Sequence, residues 1–175
     1  MDPIRELKIR ADILHARLAK APDPATLARL RVLPGARVED IQKKHCLTVV
    51  ARESGFTGWE HARRVLEGDP DEHDLGTLLW IGGFTNHWFA SYDEARAVQR
   101  DLDATERHYL LGYKRHFLVV NAHFIEALGM NPEDADWNAI GWDWARPKDV
   151  AARGRLFFQR LDAIRRAAAP QRLAT

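Results

Sequence analysis

Over residues 4–18 the apolar positions Ile4, Leu7, Ala11, Leu14 and Leu18 recur three or four apart, with Arg, Lys and Asp between them. That spacing predicts an amphipathic helix. Asp2-Pro3 opens it as N-cap and first-turn proline, and Ala21-Pro22 closes it. Asp23-Pro24 repeats the start signal for a short helix through about Leu33, stopped by Pro34-Gly35. Glu39 to Ser54 is a third predicted helix, with Ile41, Cys46, Leu47, Val49 and Val50 on its apolar side and Gly55 as a left-handed C-cap. Thr57-Gly58-Trp59-Glu60 has the form of a capping box, which predicts a fourth helix to Glu67 with Phe56 and Trp59 plugging the helical hairpin. Gly68 and the polar run to Asp74 form a linker.

Beyond the linker the periodicity changes. Thr77 to Ile81 is a short apolar run of strand length, and residues 82–90 read as a loop. Ser91-Tyr92-Asp93-Glu94 is a second capping box, opening a helix to about Leu102. Tyr109 to Val120 is rich in aromatic and β-branched residues and reads as a strand or strand pair interrupted at Gly112. Asn121 caps a short helix ended by Gly129, and Asn131-Pro132-Glu133-Asp134 starts another. Pro147 to Ala169 is a long final helix, with Val150, Leu156, Phe157, Leu161 and Ile164 as its inner stripe. The predicted class is α+β, mostly helical. A helical module over residues 1–68 packs on a small sheet with helices over 69–175, and the long C-terminal helix crosses back to join them.

Charge adds a second layer to this division. The net charge of +1 resolves into +4 over residues 1–68, −8 over 69–149 and +5 over 150–175. An acidic middle argues against a whole-chain nucleic-acid binder. The single cysteine, Cys46, excludes an internal disulfide framework and falls on a helix as a small packed residue. The charged, helical N-terminus does not read as a signal peptide, and no apolar run reaches membrane-spanning length. A cytoplasmic protein is expected.

Two stretches carry resemblances. Residues 49–62, Val-Val-Ala-Arg-Glu-Ser-Gly-Phe-Thr-Gly-Trp-Glu-His-Ala, resemble a helical module of bacterial proteins that stands beside ankyrin-repeat or glyoxalase-like domains and ends in a Gly-Phe-x-x-Trp turn. Residues 84–147 resemble an uncharacterised family of bacterial soluble proteins, which implies no catalytic residue. Helices 39–67 also have the outline of a helix-turn-helix, so a DNA-associated regulator or protein-interaction module is one alternative. Its second helix offers only Arg63 and Arg64 as cations, which makes nucleic acid the less favoured partner.

The candidate chemistry concentrates between Leu75 and Trp144, which hold five of six tryptophans and four of eight histidines. Gly82-Gly83 precedes Asn86, His87 and Trp88, giving backbone freedom beside polar donors and an aromatic face. Tyr113, Lys114 and Arg115 place cations beside a phenol, a combination suited to a carboxylate or phosphate. Trp142, Asp143 and Trp144 set a carboxylate between indoles, which favours a raised pKa and a general acid. The leading expectation is one pocket for a small polar or anionic molecule, built from loops 82–92 and 141–147 and strand 109–116. Its ligand-binding residues would be Asn86, His87, Trp88, Tyr113, Lys114, Arg115, Trp142 and Asp143. An enzyme using the same pocket, with His87 or Asp143 as acid/base, is the other alternative. His87, His108, His116 and His123 lack metal-ligand spacing, so no metal is expected, and no cofactor is indicated.

Overall fold

The computed structural model describes residues 2–20 and 22–168, and the chain divides into two compact units, Met1–Glu72 and His73–Thr175. Ala21 and Ala169, expected as helix-end residues, lie outside the described residues.

The first unit is helical: α1 (Pro3–Lys20), α2 (Pro24–Ala28), α3 (Lys43–Glu53) and α4 (Trp59–Glu67). The predicted stripe Ile4, Leu7, Ala11, Leu14 and Leu18 is buried on α1, and Cys46, Val49 and Val50 are buried on α3, which packs against α1. Helix α3 starts at Lys43, not Glu39, because Val38–Asp40 forms a separate 3₁₀ turn and Ile41 is extended. The second predicted helix likewise divides, passing from α2 into a 3₁₀ turn over Arg29–Val32.

The predicted capping box at Thr57 does not form. Gly58 is the N-cap, His61 Nδ1 accepts from the Thr57 amide at 3.0 Å, and Glu60 turns outward to Arg63. Phe56 is the buried plug at 4% exposure, while Trp59 is only half-buried, with Lys8 Nζ 6.0 Å above its ring. The cations proposed to read DNA are already paired, Arg63 with Glu60 and Glu67, and Arg64 with Asp69 and Glu72.

The second unit is α+β. A three-stranded antiparallel sheet, in the order β1-β3-β2, comprises β1 (His87–Phe89), β2 (Tyr109–Tyr113) and β3 (His116–Val120). Helix α5 (Tyr92–Leu102) packs on the strands, α6 (Ala122–Ala127) follows β3, and α7 (Ala135–Ala139) packs with α8 (Val150–Ala168). Ser91 Oγ accepts from the Glu94 amide at 3.4 Å, and Asn121 Oδ1 accepts from the Phe124 amide at 3.2 Å, so both predicted caps act at α5 and α6.

Three expectations for this unit are corrected. Residues 77–81 are a turn, not a strand: the Trp80 amide donates to the Thr77 carbonyl at 3.2 Å, while Leu78 and Leu79 are buried. Arg160 on α8 holds this turn by donating to the Leu78 and Leu128 carbonyls at 2.9 and 2.6 Å. The segment expected as loop 82–90 contains β1. Gly112 lies inside β2, and the hairpin turns at Lys114-Arg115. Gly112 is there because a Cβ would fall 2.2 Å from Leu75 Cδ1. Leu75 lies this close because its amide donates to the Lys114 carbonyl and the Lys114 amide to the Gly76 carbonyl.

Alternation gives the sheet two faces. Leu110, Phe117, Val119 and Phe89 form one, packed with Ala95, Tyr92 and Leu102 of α5. Tyr109, Leu111, Leu118, Trp88, Tyr113 and His116 belong to the other. Tyr109 is buried edge-on to Trp137 at 5.0 Å, and its hydroxyl donates to the Pro132 carbonyl at 2.9 Å.

Candidate functional site

The register of the sheet decides what meets at its end. His87 pairs with Val119, so the residues before β1 lie beside the end of β3 and the start of α6. A cavity of about 340 Å³ opens there, lined by Phe84, Thr85, Asn86, His87, His108, Val119, Val120, Asn121 and His123. Its walls combine a phenylalanine and two valines with three imidazoles, two amides and a hydroxyl, so the lining is mostly polar.

Each wall is fixed by a separate device. Phe84 stacks edge-on to Phe124 at 5.2 Å, which pins the 84–86 segment to α6. Asn121 uses Oδ1 to cap α6. His108 is buried, its amide donates to Asp103 Oδ1 at 2.8 Å, and its Nδ1 lies 2.9 Å from the Glu106 carbonyl. Since a carbonyl only accepts, Nδ1 carries hydrogen there. His123 is exposed and 3.2 Å from Glu126 Oε2, and His87 is exposed on the edge strand. Asn86 differs from all of these: its Nδ2 is buried without a hydrogen-bond partner. A buried amide donor left unpaired costs about 1–3 kcal/mol.

The eight residues expected to share one pocket are divided among several places. Asn86 and His87 line the cavity. Trp88, the next residue, points to the opposite face by strand alternation and joins Trp80 and Tyr113 at ring distances of 5.1 and 5.5 Å. Lys114 and Arg115 form the hairpin turn, with Lys114 at φ 50° and its Nζ 5.5 Å from the Tyr113 ring.

Asp143 is buried at the edge of β2, bridged to Leu110, and does not line the cavity. Tyr92 Oη donates to its Oδ2 at 2.5 Å and the Arg146 amide to its Oδ1 at 2.9 Å, while the Arg146 guanidinium covers the Tyr92 ring at 3.9 Å. Burial pushes the Asp143 carboxyl above its ordinary value, as expected from its indole neighbours, and the Tyr92 hydrogen bond opposes that shift. A carboxyl whose two oxygens are both engaged, at 3% exposure, bolts the 141–146 loop to α5. Asp143 therefore holds the frame and is not placed for the acid/base role expected of it in a shared pocket.

Trp142, at φ 53°, lies under Arg107 at 3.9 Å, and its carbonyl accepts from the Leu110 amide and from buried Gln99. It too is part of the frame. Gly82-Gly83 does not serve close approach: a Cβ at either would meet nothing within 4 Å, and only Gly83, at φ 90°, needs glycine for its turn.

Among the described residues, no group of three or more His, Cys, Asp or Glu side chains is placed to hold a metal ion, and no helix is long and apolar enough to cross a membrane. Thr85, Asn121, His108 and His123 were not among the expected ligand residues. The one signal for them was the Asn121 cap, which fixes the end of β3. No protein-family model, curated protein or solved structure matches the chain.

Proposed function

We propose that this is a cytoplasmic binding protein for a small polar or anionic molecule, held in the cavity at the end of the sheet. The observation that carries the reading is Asn86 Nδ2, a buried donor without a partner in a wall shared with three imidazoles. A ligand acceptor that draws the Asn86 amide round into the cavity would recover the free energy that folding leaves unclaimed. The simplest such acceptor is a carboxylate. It would accept from Asn86 and His87 at the rim while its apolar part rests on Val119 and Val120. The volume suits a molecule of a few heavy atoms up to about the size of an amino acid.

The test is a stability and binding pair on Asn86→Leu. Leucine removes the unpaired donor at similar volume, so the variant should melt at or above the parent temperature. Native mass spectrometry of parent protein purified from cells should show a small adduct that the variant lacks. A variant that loses stability by more than about 1 kcal/mol identifies Asn86 as a structural residue and removes the basis of the reading.

A further inference from the structure

The other face of the same hairpin carries a second feature. Trp80, Trp88, Tyr113 and His116 form a continuous ring cluster, with centroid separations of 5.1 Å for Trp80–Trp88, 5.2 Å for Trp80–Tyr113, 5.5 Å for Trp88–Tyr113 and 6.4 Å for Trp88–His116. Tyr113 and His116 are paired across the hairpin, and Trp88 joins them from the edge strand. Trp88 is braced by these rings yet remains 43% exposed. Isolated exposed apolar residues need no explanation, but an indole supported on two sides by aromatic rings is a rigid stacking surface.

Charge specifies what it would stack. Lys114, Arg115 and His116 follow Tyr113 directly, and all three are exposed. Lys114 and Arg115 have no ion-pair partner among the described residues, although residues 69–149 carry a balance of −8. Arg107 and Arg155 of the same unit are committed to Asp103 and Asp136, while Arg100 and Lys148, also exposed, stand apart from any aromatic cluster. Lys114 also occupies a left-handed backbone position, where a lysine costs about 1–2 kcal/mol relative to glycine. Sugar-binding platforms draw on carboxylates and amides for the hydroxyls, and this cluster contains neither. Exposed aromatic faces beside uncompensated cations match an aromatic ring carrying an anionic group.

We propose that the Trp88 cluster is a binding site for a free mononucleotide, with the base stacked on Trp88 and the phosphate held by Lys114 and Arg115. Lys114 and Arg115 supply two adjacent cations, enough for one phosphate and too few to follow a strand, so the free nucleotide is favoured over single-stranded nucleic acid. This site is independent of the cavity, which lies on the face presented by His87.

The test follows the tryptophan indole N–H resonances while adenosine 5′-monophosphate, adenosine or inorganic phosphate is added to the full chain. The nucleotide should move the Trp88 and Trp80 signals saturably, with adenosine roughly tenfold weaker and phosphate alone leaving them in place. Lys114→Asn with Arg115→Ala, Asn being the residue that tolerates the left-handed turn, should bring the nucleotide down to the affinity of adenosine. Trp88→Ala should abolish binding of both. If that variant fails to fold, Trp88→Leu replaces it with the same expectation, and the charge variant still decides the phosphate contact. His87→Ala should leave nucleotide affinity unchanged. Equal affinity for nucleotide and adenosine, no indole shift at millimolar nucleotide, or unchanged binding in the charge variant would each overturn the proposal. So would an RNA oligomer binding roughly tenfold more tightly than the mononucleotide, since the source would then be a strand.

Discussion

Tyr92 donates its phenolic hydrogen to Asp143 Oδ2 at 2.5 Å and thereby ties the first turn of α5 to a loop fifty-one residues away. The pair makes a pH-dependent prediction. Tyr92→Phe leaves a buried carboxylate with one donor fewer and should cost about 1–3 kcal/mol near neutral pH. The folded Asp143 carboxyl titrates above its ordinary value of 3.8, so the folded state binds the extra proton in that window and stability falls as pH rises through it. Removing the Tyr92 hydrogen bond raises that carboxyl further. The gap between parent and variant should therefore widen from below pH 3.8 towards neutrality, as read by denaturant melts across that range.

At the alkaline end the sign is the same. Burial, with Asp143 adding to it at Tyr92, pushes the Tyr92 and Tyr109 phenols up to about 12. Between their ordinary value of 10 and that value, the unfolded chain loses phenolic protons that the folded chain keeps, and stability must drop. Absorbance at the tyrosinate band should show two late-titrating phenols, and loss of Tyr92 in Tyr92→Phe should leave one.

Gly112 and Leu75 should behave as a coupled pair. Gly112→Ala places a methyl 2.2 Å from Leu75 Cδ1 and should destabilise by about 1–3 kcal/mol. Leu75→Ala removes the Cδ1 and Cγ contacts and leaves Cβ at 2.8 Å, so the double variant should lose less than the sum of the two single ones. Additive losses in a thermal-melt cycle would mean the strand relaxes away from Leu75 without it.

In the helical unit the burden falls on Phe56, not on Trp59. Phe56→Ala should cost about 3–5 kcal/mol, because the ring is 4% exposed. Trp59→Ala, at a half-buried position, should cost clearly less. Equal losses by urea titration would restore Trp59 as the plug.

The helices with strong side-chain signals were legible in the chain: the α1 stripe, the Ser91 and Asn121 caps, and Leu156, Phe157 and Leu161 of α8 follow local rules of spacing and capping, while α8 starts at Val150, not Pro147, and Val150 is exposed instead of inner. Where the reading went astray, tertiary contacts had outvoted local pattern. Thr77 to Ile81 looks like a strand by composition, but its apolar residues fill a turn that Arg160 holds from eighty-two residues away. β1 has three residues, too few to show alternation, and exists because β3 offers it a partner. At Thr57 the imidazole of His61 displaced the expected cap.

The candidate site was legible only at Asn86 and His87. The remaining cavity residues join them through register, and register is a long-range property. Trp88 could be separated from His87 by strand alternation alone, but only once residues 87–89 are known to be a strand.

The most direct measurement is the side-chain amide signal of Asn86, followed by NMR during titration with a panel of small carboxylates. The account predicts that a binding carboxylate moves the Asn86 Hδ2 resonances downfield and saturably, together with the His87 and His108 ring signals, and that Asn86→Leu abolishes the response. A carboxylate that binds while the Asn86 amide stays unmoved, or that binds Asn86→Leu as tightly as the parent, would contradict it.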